Sequence, residues 1–102
     1  MFIILTTTST NEEAESLANS LVESRLAACV QILPKMTSIY VWEGKIERSS
    51  ENLLLIKTLA EKYEAVEQYI LDHHSYETPE IVAIDVERVS AGYLKWLTDH
   101  AS

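Results

Sequence analysis

Between positions 73 and 80 the chain reads His73-His74-Ser75-Tyr76-Glu77-Thr78-Pro79-Glu80, placing two of its three histidines beside a phenol and two carboxylates. Imidazole changes charge near neutral pH and ligates metals through either ring nitrogen. Neighbouring histidines diverge by about 100° on a regular helix, so His73 and His74 converge on one ion only where a helix ends between them. The helical pattern does break at Ser75. The competing role is capping, in which an imidazole bonds to the last helical carbonyls and its cation suits the helix dipole. A zinc or copper site here also needs carboxylates such as Glu77 or Glu80, or groups from another subunit, because the chain has one cysteine. Tyr76 and Glu77 bring a hydroxyl and a base to a cleft, or close a subunit contact.

Two further residues stand out. Cys29 sits in the apolar run Leu26 to Leu33, where a free cysteine packs as a small hydrophobe or faces a cleft beside the histidine loop. Lys57 interrupts the strand-like stretch that begins Leu53-Leu54-Leu55-Ile56. It snorkels, pairs with a carboxylate such as Glu77 or Asp85, or binds an anion in a cleft. No nucleophile–base pair is recognisable from spacing, and neither a P-loop nor a Rossmann fingerprint is present. Catalysis by Cys29 or by a Glu77–His74 pair therefore ranks below a binding function. His100, near the end of the last helix, reads as a surface residue.

The elements that must position these groups follow from periodicity. Phe2 to Leu5 predicts a strand buried on both faces. Thr10 and Glu13 form a capping-box pattern before a helix running to about Arg25. Leu26 to Trp42 predicts a long strand bent at Pro34-Lys35, and Glu43-Gly44-Lys45 a hairpin turn into a returning strand at Asn52 to Leu59. A helix follows over Ala60 to His74. Ile81 to Val89 alternates as a strand, with Val82, Ile84 and Val86 on one face. Ser90 then caps a helix carrying Tyr93, Leu94, Trp96 and Leu97. The order β-α-β-β-α-β plus a terminal helix is an α+β, ferredoxin-like arrangement in a single domain over residues 1–102. A two-layer fold covers only one face of its sheet, so Tyr40 and Trp42 on the long hairpin call for a partner surface.

Composition narrows the function. Sixteen acidic residues against eight basic give a net charge of −8, which repels a phosphate backbone and argues against nucleic-acid binding. No apolar run reaches the roughly 20 residues that span a bilayer, and Met1 to Leu5 lack the features of a secretory signal. A lone cysteine fits a reducing, cytoplasmic location.

Four blocks of this sequence resemble the CutA divalent-cation tolerance proteins. They are Arg25-Leu26-Ala27-Ala28-Cys29-Val30, Ser38 to Ile46, Leu55-Ile56-Lys57-Thr58, and His74 to Glu80. The resemblance covers the chain from end to end, in order and spacing. It implies a ferredoxin-like protomer in a homotrimer similar to the PII signalling proteins, with clefts between subunits. It also implies a part in the response to metal ions, with copper or another divalent cation as ligand. The alternative it leaves is a PII-like small-ligand sensor or trimeric scaffold. Two positions depart from the family pattern. Ser75 stands where the family's His-Pro-Tyr-Glu motif has proline, leaving the loop less preorganised. Thr6 stands where some members carry a copper-ligating cysteine after the first strand, and a hydroxyl is a poor ligand for soft copper.

Overall fold

The computed structural model describes all of residues 1–102, as four strands and three α-helices. Strands β1 (Phe2–Thr8), β2 (Cys29–Trp42), β3 (Lys45–Thr58) and β4 (Val82–Asp85) form one antiparallel sheet in the order β2-β3-β1-β4. Helices α1 (Asn11–Glu23) and α2 (Tyr63–His73) pack on one face, and α3 (Ala91–His100) follows β4. This is the ferredoxin-like α+β arrangement, with the terminal helix added.

Apolar side chains of matching period make the core. Ile4 of β1 and Leu54 and Ile56 of β3 meet Ala14, Leu17 and Leu21 of α1 and Val66 and Ile70 of α2, all buried. Each buried Leu or Ile contributes about 1.5–3 kcal/mol, so this one layer supplies most of the driving force. Thr10 caps α1 by accepting the Glu13 N–H at 3.1 Å. Ser90 occupies the N-cap of α3, but its side chain makes no capping bond. The start of α2 is tighter than periodicity suggests: Ala60–Lys62 form a 3-10 turn before the α-helix begins at Tyr63.

Strand β1 is buried on both faces at its end, Thr6 to Thr8, but unevenly before it. Ile4 is fully enclosed, while Ile3 and Leu5 are half-buried on the other side of the sheet, so within one chain only the helical face is fully covered at these positions. The register sets Ile3 beside Ile84 and Leu5 beside Val82, and on the other side beside Lys57 and Leu55. The result is a broad apolar face without a helix over most of it. A smaller cluster of Ala28, Leu97 and Ala101 ties α3 to one end. There, Arg25 donates to the Asp99 and Ser102 carbonyls from a left-handed backbone position (φ 63°).

The β2–β3 ribbon explains the elongated outline of 45 × 25 × 23 Å. One extra residue in β2 between Leu33 and Met36 shifts the register at Pro34-Lys35, a bulge that exchanges the faces of the residues beyond it. The ribbon closes at a two-residue turn, Glu43-Gly44, both with positive φ (50° and 78°), the type I′ geometry that suits strand twist. Its tip projects past the helices, which is why β3 begins at Lys45 rather than Asn52. Exposure of Ile39, Val41 and Ile46 on one side and Tyr40 and Trp42 on the other leaves both faces of the tip open. Strand β4 is shorter than its alternating pattern, because β1 begins at Phe2 and offers no partner beyond Asp85. The Val86 N–H makes the last bond, to the Met1 carbonyl.

Candidate functional site

Helix α2 stops at His73, and His74 turns extended (φ −79°, ψ 145°) while its N–H still bonds to the Ile70 carbonyl. That change of backbone sends the two histidines apart. His73 stays exposed, stacked on Tyr69 at 4.0 Å, with Nδ1 bonded to the Tyr69 carbonyl at 2.8 Å. A carbonyl only accepts, so Nδ1 carries the proton and Nε2 keeps a free lone pair. The His74 side chain is fully enclosed. Its Nε2–H donates to the Thr7 carbonyl at 2.6 Å, and its Nδ1 accepts the Tyr76 N–H at 2.9 Å. Both ring nitrogens are thereby used, and His74 has nothing left for an ion. The two rings do not converge, and the capping role belongs to His73.

The next residues are pinned from three elements. Ser75 donates its N–H and its hydroxyl to the Glu13 carboxylate, both at 2.8 Å. The Tyr76 hydroxyl donates to Glu51 Oε2 of β3 at 2.7 Å. Ser75 therefore gives the loop a clasp to α1 that proline has no N–H to make, correcting the expectation of a looser loop. The same clasp takes Glu13 away from the return half of the capping box.

Charge behaviour follows from this packing. Burial raises the Glu51 carboxyl, but the hydroxyls of Ser38, Tyr76 and Thr7 outweigh it and hold the acid below its ordinary range. Burial, with the hydrogen bond and charge of Glu51, pushes the Tyr76 phenol well above its ordinary value. The pair is thus a neutral phenol donating to an ionised carboxylate.

Beside this pair lies a groove of about 770 Å³ between the loop and the inner side of the ribbon. Tyr76 and Glu77 line it, together with Glu51, Glu80, Tyr40 and Trp42. Cys29 and Lys57 do not. They face each other across β2 and β3, six residues along β3 from Glu51, or about 20 Å. Lys57 forms no ion pair with Glu77 or Asp85; its ammonium lies 5.6 Å from the centre of the Tyr93 ring. Within one chain the four residues expected in a cleft occupy two places. Thr6 lies inside β1, fully buried toward the helices, rather than after the strand.

Within the chain no three His, Cys, Asp or Glu side chains converge as a structural zinc or copper site needs. Sequence reasoning missed Glu51, the acid at the centre of the network. It is the last acid of the polar run from Glu47 to Asn52, at the boundary with Leu53, and a carboxylate entering a core strand is the signal that was available.

The fold and the loop geometry define a ferredoxin-like domain with an acidic, aromatic groove. Residues 2–100 match the model of the CutA1 divalent ion tolerance protein family, and the chain belongs to that family. It is 40% identical over 98 residues to the divalent-cation tolerance protein CutA of Thermus thermophilus, covering 96% of this chain and 95% of that one. A solved structure of the Thermus thermophilus protein superposes with a TM-score of 0.96 at 39% identity, over the whole of both chains. A CutA homolog from Xenopus laevis is 44% identical over 86 residues. This alignment covers 84% of the present chain but 57% of the frog protein, so the chain spans little more than half of that relative.

Proposed function

We propose that the chain acts as a homotrimer in the cellular response to divalent cations, in the cytoplasm and without catalysis. The observation that carries this reading is the uncovered apolar face of the sheet. Leu33, Val82 and Ile84 are about half exposed there, beside Ile3, Leu5, Leu53 and Leu55. A face of that kind is stable in water only when another surface covers it. Copper or another divalent ion binds at His73, whose Nε2 is the open imidazole nitrogen of the loop, with further ligands supplied across the subunit boundary.

Light scattering on the eluting protein should give three chains per particle at micromolar concentration; a stable monomer defeats the reading. Isothermal titration with Cu²⁺ and Zn²⁺ should show binding that His73→Ala abolishes. Uptake unchanged by that substitution would remove the histidine from the metal site. A second reading, a PII-like sensor of a small molecule, is favoured by one observation: the groove is walled by the Tyr40 and Trp42 rings over a buried carboxylate.

A further inference from the structure

We propose that the groove binds an organic cation, a primary ammonium on an aliphatic body of the diamine class. The inference rests on the small-molecule reading of the groove and is independent of metal uptake at His73. Its lining contains three carboxylates, Glu51, Glu77 and Glu80, and no lysine, arginine or histidine. Glu51 is 8% exposed, yet neither ion pair in the chain involves it. The Tyr76 hydroxyl donates to its Oε2 at 2.7 Å, and the hydroxyls of Ser38 and Thr7 also stabilise the carboxylate. What stabilises its charge is hydroxyl dipoles and the nearby His74 imidazole rather than an ion pair within the groove, so a cation entering the groove would add the direct counter-charge that the lining lacks.

The rings decide which cation. Tyr40 and Trp42 are 44% and 53% exposed on the same face of β2, and the Tyr40 hydroxyl bonds to Ser49 at 2.7 Å, which fixes that ring. Aromatic faces attract an ammonium and its attached methylenes, whereas they give a divalent metal no lone pairs. Calcium and magnesium want six or more oxygens, and transition metals want convergent nitrogen or sulfur donors, which the groove lacks. Its volume of about 770 Å³ lies within the range of small-ligand sites. One ammonium meets Glu51 at the inner wall, and the second meets Glu77 or Glu80 on the loop.

The test is isothermal titration of the full chain with putrescine, using 1,4-butanediol as the uncharged match. Putrescine should bind saturably and the diol should not. Trp42→Ala should weaken putrescine about tenfold, the loss of one good cation–π contact. The double substitution Glu77→Gln/Glu80→Gln, at two exposed loop positions, should weaken it at least as much while circular dichroism stays unchanged. His73→Ala should leave putrescine binding intact even as it removes the metal. No saturable heat with putrescine, equal heat with the diol, or an affinity indifferent to both groove variants would overturn the proposal.

Discussion

Thr6 offers a clean test of how this core is balanced. Its side chain is fully buried on the helical face of β1, and its hydroxyl is the one enclosed side-chain polar atom in the chain without a partner. An unpartnered buried hydroxyl costs about 1–3 kcal/mol. Valine has nearly the same shape and a strand preference at least as strong, so Thr6→Val removes the penalty without opening a cavity. The expected gain is about 1–2 kcal/mol. Thr58, also fully buried, is the matched opposite: its hydroxyl donates to the Leu26 carbonyl at 2.6 Å. Thr58→Val deletes that bond and strands an acceptor, for a loss of about 1–2 kcal/mol. Equilibrium unfolding in guanidinium, at one protein concentration and with unchanged m-values, should separate the two variants by about 2–4 kcal/mol with wild type between them. If Thr6→Val falls on the same side of wild type as Thr58→Val, the Thr6 hydroxyl has a partner and the reasoning is wrong.

Other perturbations test the loop and the ribbon. Tyr76→Phe removes the donor to Glu51 and should cost about 1–2 kcal/mol, at the low end for a bond to a charged group because the groove is open to water. The Glu51 acid is depressed, so its contribution is present above the ordinary carboxylate value of 4.5 and fades as pH falls through its lowered folded value. The Tyr76 phenol is raised, so its contribution is complete below pH 10.0 and is lost as pH rises beyond it; Tyr76→Phe should flatten that alkaline limb in a stability–pH series. Gly44→Ala, at φ 78° with open space around the position, should cost about 1 kcal/mol from backbone strain alone, read by thermal unfolding. His74→Ala should destabilise by about 2–4 kcal/mol, because it leaves a buried carbonyl and N–H unpaired, whereas exposed His73→Ala should stay within about 0.5 kcal/mol; equal effects would contradict the separate placements of the two rings.

What the sequence made legible was set by local rules. The Thr10 cap, the Gly44 turn and the bend at Pro34 each depend on a few adjacent residues, and each is present. The length of β4 was not legible, because a strand ends where its neighbour does and β1 supplies no partner after Asp85. The start of β3 was hidden for a related reason: the polar stretch from Glu47 to Ser50 shows no alternation, since the ribbon there is exposed on both faces. Pairing holds those residues in a strand without burial.

The loop shows the same division more sharply. Adjacent histidines invite a reading as a ligand pair, and the break at Ser75 was the right place to look. The pattern could not say that the Thr7 carbonyl stands opposite one ring nitrogen of His74 and the Tyr76 N–H opposite the other. Those partners lie 67 residues away in one case and two in the other. A prolyl residue at 75 would restrict the backbone but forfeit the donors to Glu13. His74 already holds the extended conformation that a following proline demands, so Ser75→Pro should fold. It should gain about 0.4–1 kcal/mol from the stiffer unfolded chain and lose two bonds worth about 0.5–1.5 kcal/mol each. The balance is a net loss of about 1 kcal/mol, measured by thermal unfolding, and a higher Tm in the proline variant would show that the Glu13 clasp contributes nothing.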